Sequence, residues 1–244
     1  MYALILAGGK GERLRPLTDT VPKPMIPVDG RPILWRQVRW LREAGVTDVI
    51  FLVGHLADVV ADYFGNGAEN GIRAHYCHED TPLGRGGALR QGLAMLPPDA
   101  GDDPVIATNG DVITDARLDE LLDDYHRRRR KNPAHVASIL TVPMTSPYGI
   151  VDAGADGLVS QFREKAVLPY AINGGVYVLH PDIRDMLPEI GDHETTTFPT
   201  LATSGCMSAV QTGAFWRSVD SPKDLREAEE YFTRAAGDAV GATR

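Results

Sequence analysis

The chain has 244 residues, 43% of them hydrophobic and 24% charged, the make-up of one large globular domain or two small ones. Its two cysteines, Cys77 and Cys206, exclude a disulfide framework and argue against a cysteine-built zinc site, and no apolar run nears the ~20 residues of a membrane span. A net charge of −8, from 25 Lys+Arg against 33 Asp+Glu, argues against a general nucleic-acid binder.

The opening, MYALILAGGKGERLR, turns glycine-rich too early for a signal peptide, so a cytoplasmic location is expected. Tyr2–Ala7 is a short apolar run and reads as a buried strand. Leu34, Val38 and Leu41 then repeat at helical spacing up to Gly45. Asp48–Val53 reads as a strand, His55–Phe64 as a helix and Ile72–Cys77 as a strand. Gly86–Leu96 reads as a helix stopped by Pro97-Pro98, Pro104–Thr108 as a strand, and Leu118, Leu121, Leu122 and Tyr125 as one helical stripe. Such alternation predicts an α/β fold, a Rossmann-like and mostly parallel sheet flanked by helices. The basic run Arg127–Lys131 reads as a solvated helix end, where cations suit the helix dipole.

The second half is richer in strands: Ala134–Val142, Gly149–Asp152, Leu158–Arg163, Asn173–Leu179, Cys206–Gln211 and Phe215–Ser218. Ser221 caps a last helix, with Pro222 in its first position and Asp224 three residues after the cap. Neither a repeat nor a linker interrupts the chain. The expectation is a single domain over residues 1–236, with a β-rich insertion over one end and a flexible tail over 237–244.

The first strand runs straight into Gly8-Gly9-Lys10-Gly11-Glu12-Arg13-Leu14-Arg15-Pro16. Glycines at the carboxyl end of a strand let backbone N–H groups approach a phosphate. A tight turn needs one or two glycines; three, with Lys10, Arg13 and Arg15, point to phosphate binding. The dinucleotide fingerprint fails, because Leu14 stands where its third glycine belongs and Val53-Gly54-His55 brings no acid for a ribose. The P-loop pattern is absent. Pro16, Pro22, Pro24, Pro27 and Pro32 forbid a helix over this stretch, and a long ordered loop after a first strand is usually functional.

L-A-G-G-K-G-E-R-L-R-P-L-T and V-P-K-P-M-I-P-V together resemble the signature of the sugar-1-phosphate nucleotidyltransferases. The resemblance continues in order through T-P-L-G-R-G-G-A-L, N-G-D, Y-G-I-V, F-R-E-K, N-G-G-V-Y-V and W-R-S-V-D-S-P-K-D-L. It is strongest toward the short mannose- or heptose-1-phosphate guanylyltransferases. Because the chain ends soon after the last motif, the C-terminal β-helix of some relatives is not expected.

The resemblance implies transfer of a nucleotidyl group from a nucleoside triphosphate to a sugar 1-phosphate, with pyrophosphate released. Leu6, Ala7, Gly8, Gly9 and Gly11 would wrap the nucleotide, with Glu79, Pro82 and Gly84 at the base. Arg13 would meet the β- and γ-phosphates and Lys23 the α-phosphate. Asp111 and Asp220, each at a strand end, would hold Mg²⁺ in an all-oxygen site. Gly149, Glu164, Lys165 and Asn173 would line the sugar pocket. Tyr177 could border that pocket or lie in the core, and Arg85, where relatives have a small residue, could meet phosphate or solvent.

A carboxylate at Glu79 matches the two adjacent donors of guanine, so GTP is favoured over UTP or dTTP. The rival reading from another class is a non-catalytic nucleotide-sugar sensor on the same fold. Partners are the two small substrates, with neither nucleic acid nor membrane. Relatives are often dimers or tetramers, which leaves a homo-oligomer open.

Overall fold

The computed structural model describes residues 1–241. In chain order the first half comprises β1 (Tyr2–Leu6), a two-residue hairpin β2 (Pro27–Val28) and β3 (Arg31–Pro32), and α1 (Ile33–Glu43). β4 (Asp48–Val53), α2 (Ala57–Phe64), β5 (Arg73–His78), α3 (Gly84–Leu93), β6 (Val105–Asn109), β7 (Val112–Thr114) and α4 (Leu118–Lys131) follow. The second half holds β8 (Ala137–Thr145), β9 (Ile150–Ala153), β10 (Val159–Arg163), β11 (Val167–Leu179) and α5 (Thr197–Thr203). It closes with β12 (Met207–Gln211), β13 (Trp216–Ser218) and α6 (Pro222–Gly241).

Seven strands form the central sheet in the order β12-β8-β11-β6-β1-β4-β5. Among the described residues four of its six pairings are parallel, and only β11 runs against its neighbours β6 and β8. The expected α/β architecture is therefore the one observed. Successive residues of β1 feed opposite faces. Ala3 and Ile5 pack with Phe51, Leu34 and Leu121, whereas Leu4 packs with Leu52, Leu89 and Phe198. A strand covered on both faces cannot alternate with polar residues, which is why β1 and β4 read as unbroken apolar runs.

Leu6 stands level with Leu52 on one side and Asn109 on the other. The chain winds from β1 outward through β4 and β5, then returns to lay β6 on the opposite side of β1. That reversal opens a crevice at the carboxyl ends of β1 and β6, where open α/β sheets bind ligands.

Several boundaries differ from expectation. β8 starts at Ala137, because Asn132 closes a turn by accepting from Ala134 and His135. β11 begins six residues early, its first half pairing with the end of β8. The proline-rich loop holds no α-helix but contains single 3₁₀ turns at Glu12–Leu14 and Lys23–Met25. β7 and α5 are too short to carry a periodic signal. Residues 237–241, expected in a flexible tail, continue α6; the rest of that expected tail lies outside the described residues.

The Arg127–Lys131 run is indeed a helix end, and three of its members have partners. Arg127 and Arg128 pair with buried Asp124, while Arg129 donates to the carbonyls of Pro133 and His135. No helix of the described residues is long and apolar enough to cross a membrane.

α3 docks through glycines. A Cβ at Gly87 would lie 2.4 Å from the Glu189 carbonyl oxygen. The Gly86 amide donates to Gly191 O at 2.9 Å, and Gly191 donates to Leu83 O at 2.8 Å. Gly87→Ala is therefore expected to destabilise the protein by about 1–3 kcal/mol, measured by urea unfolding. An unchanged midpoint would show that the 83–87 and 189–191 segments separate at no cost.

Candidate active site

The loop after β1 folds back against the sheet before it reaches outward. The Ala7 amide bonds Leu52 O, so Ala7 is buried under the loop. Gly11 takes φ 62, and a Cβ there would sit 2.8 Å from Lys23 Cβ. Only glycine relieves both constraints, and its absence of side chain lets the Lys23–Met25 turn close over it. Thr18 Oγ1 donates to Gly11 O at 3.0 Å and fixes the crossing. Buried Pro24 and Met25 then anchor the turn that carries Lys23.

Lys23 Nζ donates to Asp111 Oδ2 at 2.5 Å and to Asp220 Oδ1 at 2.8 Å. Arg13 adds a bond to the same Asp220 oxygen at 2.8 Å, and Ser218 Oγ donates to the other. Burial pushes the Asp220 carboxyl up, but the bonds from Lys23 and Ser218 and the two cations outweigh it and hold it below 3.8. The carboxylates come from neighbouring strand ends, tied by the Val219 amide on Asp111 O at 2.9 Å. Asp111 Oδ1 is buried and has no partner among the described residues.

Two adjoining cavities meet at this cluster. One, of ≈ 320 Å³, is lined by Leu6, Gly8, Gly9, Glu79, Pro82 and Gly84, together with Lys23, Asn109 and Asp111. The other, of ≈ 360 Å³, is lined by Gly9, Gly11, Arg13, Lys23, Asp111 and Asp220. Gly9, Lys23 and Asp111 border both. Of the eight residues expected to wrap the nucleotide, only Ala7 lines neither. Glu79 accepts from the Leu83 amide through Oε2 at 3.1 Å. Its Oε1 faces the loop, since a Cβ at Gly8 would lie 3.4 Å away.

Arg85 lines the first cavity and is partly exposed, but its charge is already matched within the protein. Its guanidinium is clasped by Asp192 and Glu194, with Nε 2.9 Å from Asp192 Oδ2 and Nη1 2.9 Å from Glu194 Oε1. Glu194 in turn accepts from Asn173 Nδ2 at 2.8 Å and from the Tyr177 hydroxyl at 3.3 Å. The Asn173 amide also reaches the Tyr177 hydroxyl, and its oxygen accepts from Gly175 N at 3.0 Å. Tyr177 is thus a core residue whose hydroxyl ends in this network.

The other expected sugar residues lie apart. Glu164 and Lys165 are exposed in the turn between β10 and β11, without a hydrogen bond or ion pair to the described residues. Lys165 has a φ of 51, uncommon for a residue with a side chain. Gly149 packs on the Phe162 ring, where a Cβ would come within 2.4 Å. Neither cavity includes these three residues. Sequence reasoning missed Asp192, Glu194 and buried His193, which sit in a polar D-H-E-T-T-T stretch with no periodic signal.

A family model described as nucleotidyl transferase matches residues 2–234. The chain belongs to the nucleotidyl transferase family. It is 34% identical over 231 residues to a mannose-1-phosphate guanyltransferase of Debaryomyces hansenii. It is 35% identical over 230 residues to the mannose-1-phosphate guanylyltransferase catalytic subunit beta of Xenopus tropicalis. Each alignment takes in 92% of this chain but 62% of the relative, so the chain spans under two thirds of their length. Among solved structures, HddC from Yersinia pseudotuberculosis superposes with a TM-score of 0.71 at 27% identity, covering 95% of this chain and 99% of that one. The same protein complexed with GMP-PN gives 0.69 at 25% identity, with the same coverage.

His193 lies between the two acids that hold Arg85. It is fully buried, edge-on to Tyr177 and Phe198, and neither ring nitrogen has a hydrogen-bond partner among the described residues, Nδ1 lying 3.8 Å from Asp192 Oδ1. Burial pulls its imidazole down from 6.5 to about 4 despite nearby Asp192 and Glu194. The unfolded chain therefore binds a proton below 6.5 that the folded chain refuses until about 4, so stability is lost as the pH is lowered through that window. His193→Leu is expected to be neutral or stabilising at neutral pH, since it removes two unpaired buried nitrogens. It should also flatten the acid-side loss by about 3 kcal/mol. Urea unfolding across the window checks this, and parallel wild-type and variant curves would overturn it.

Proposed function

We propose that the protein is a sugar-1-phosphate nucleotidyltransferase that favours GTP. The observation that carries this reading is the Lys23 ammonium held between Asp111 and Asp220 where the two cavities join. The first cavity, with Glu79 at its wall, suits a base and ribose. The second, with Arg13 and the glycine loop, suits the phosphates. Binding of guanine nucleotide by the similar HddC structure, and the guanylyl activity named for the curated relatives, support the same reading.

In the reaction a phosphate oxygen of the sugar 1-phosphate attacks the α-phosphorus. A new P–O bond forms there, the bond to the bridging oxygen breaks, and pyrophosphate leaves with that electron pair. Both reactants are anions, so the protein's task is to align them and offset their charge. Backbone N–H groups of Gly8–Gly11 would cradle the phosphates. Lys23 would steady the α-phosphate oxygens, and Arg13, whose side chain is largely exposed at the mouth, would follow the leaving pyrophosphate. Lys165 and Glu164 would meet the sugar 1-phosphate from the insertion.

Asp111 and Asp220 fit Mg²⁺ as a ligand pair. One Asp111 oxygen is buried and unpartnered, and the described residues hold no group of three or more His, Cys, Asp or Glu that would suit a protein-caged metal instead. Mg²⁺ bound by one or two carboxylates and phosphate oxygens would add positive charge at the transferring phosphate. Free thiols at Cys77 and Cys206 suit a reducing compartment, and we propose the cytoplasm.

Asp111→Asn and Asp220→Asn are each expected to cut turnover by about 100-fold or more while the protein stays folded, because charge is lost and volume is not. EDTA should stop the wild type. Pyrophosphate release is the assay, and full activity in EDTA or in either variant would remove the carboxylate pair from the mechanism. Run across GTP, ATP, CTP, UTP and dTTP with a panel of sugar 1-phosphates, the same assay ranks the bases and names the sugar.

Glu79→Gln tests base choice. A carboxylate oxygen facing guanine N1–H and N2–H₂ makes a charge-assisted contact, whereas uracil and thymine flank one donor with acceptors. The wild type should prefer GTP, and the variant should shift toward UTP or dTTP. A wild-type preference for UTP or dTTP would favour a uridylyl- or thymidylyltransferase instead. An unchanged ranking in the variant would assign Glu79 only to the turn it closes on Leu83.

A further inference from the structure

Gln37 stands on the apolar face of α1, between Leu34, Val38 and Leu41, and is 3% exposed. A polar side chain in that place persists only through hydrogen bonds. Its Nε2 donates to Asn109 O at 2.7 Å and to Val112 O at 2.8 Å. Both oxygens accept only, so the amide nitrogen must face them, and Oε1 is left buried without a partner among the described residues. The side chain is oriented toward one stretch of backbone at the expense of its own oxygen.

That stretch brackets Asp111. The Gly110 amide bonds Leu6 O at 2.9 Å, and a Cβ at Gly110 would lie 2.5 Å from the same oxygen, so the turn sits hard against β1. Asp111 O accepts from Val219 beside Asp220. Backbone contacts thus fix the two middle residues of the turn, and Gln37 fixes the carbonyl on each side of them.

We propose that Gln37 is a positioning residue for the Asp111 carboxylate, and through it for the Asp111–Asp220 pair; this rests on the reading of that pair as the phosphate and metal site. Without the amide, the buried Val112 carbonyl loses this donor and that of Asn109 keeps only the longer 3.3 Å bond from Thr108 Oγ1, so both are freer to rotate toward water in the crevice. Asp111 turns with them. A misplacement near 1 Å at a reacting centre costs about 100-fold in rate.

The test compares Gln37→Leu, Gln37→Glu and Asp111→Asn with the wild type, using pyrophosphate release with the best substrate pair from the panel. Gln37→Leu keeps the apolar packing and removes the donor. Its kcat is expected to fall about 10- to 100-fold with both KM values little changed. Amide exchange over residues 109–112 should quicken while that of β1 stays as in the wild type. Gln37→Glu reads the donor directly. Near pH 8.5 its carboxylate repels both carbonyls, whereas near pH 6 the buried acid is protonated and donates to one. Its kcat relative to the wild type should therefore rise about tenfold or more from the higher pH to the lower.

A merely structural role would lower Tm in both variants and leave that ratio flat. A flat ratio, or wild-type kcat in Gln37→Leu, overturns the proposal. Should Gln37→Leu fail to fold, the pH ratio of Gln37→Glu decides. Inactive Asp111→Asn beside fully active Gln37 variants would overturn the positioning role alone. Fully active Asp111→Asn would overturn the carboxylate reading and the proposal with it.

Discussion

Two carboxylates facing one another at the ends of neighbouring strands require a cation between them, and Lys23 supplies it. Without it the two like charges would repel each other across the crevice. The ammonium reaches them because the loop after β1 is bent back on itself at Gly11 and stiffened on either side of Lys23 by Pro22 and Pro24. The loop therefore owes its path to the carboxylates as much as they owe theirs to the loop. Its other anchors include the Ala7 amide on β4, Thr18 on Gly11, Met25 in the main core, and buried Leu14 and Ile26 in a small core shared with Val219 and Ala228. This core joins the loop to α6, so the last helix and the first loop support one cation from opposite sides.

The crevice that receives this cluster is a consequence of winding order. β1 has β4 on one side and β6 on the other, and all three run parallel. Their carboxyl ends open together, leaving Leu6, Asn109 and the turns beyond them without a covering helix. Net charge plays no part in this: the protein is acidic overall, with Lys10, Arg13, Arg15 and Lys23 gathered in its first loop. Arg85 adds no free charge, because Asp192 and Glu194 neutralise it.

The parts legible in the sequence are those where a single constraint dominates. β4 was bounded correctly at Asp48 and Val53, because burial on both faces demands an apolar run and polar residues end it. That the glycine loop, Lys23, Asp111 and Asp220 meet was legible through the family resemblance and the strand-end positions of the two acids, and the structure brings them together. Asn173 is expected from the sequence at a sugar pocket, but nothing there shows that its side chain is committed to Glu194, Tyr177 and Gly175. Such commitments depend on segments far apart in sequence, and neither spacing nor composition carries them. Gln37 did leave a trace: a glutamine inside the stripe Leu34–Val38–Leu41 breaks the apolar period, and the break marks a hydrogen bond.

The Arg85 network follows from the same reasoning about charge and burial. A guanidinium at the first turn of α3, near the positive end of the helix dipole, is unfavourable unless acids offset it. Asp192 and Glu194 do so from the segment that α3 already grips through Gly86, Gly87 and Gly191. His193 between them makes no hydrogen bond to either acid, its ring turns inward against Tyr177 and Phe198, and burial keeps it neutral although Asp192 Oδ1 is 3.8 Å from Nδ1. Glu194 has Arg85 on one side and the Asn173 amide on the other, so the wall of the ≈ 320 Å³ cavity and the middle of β11 share one carboxylate. The first half of the chain and β11 are joined there by charge, beside the backbone pairing of β6 with β11, and within the second half Trp216 donates to Gly174 O.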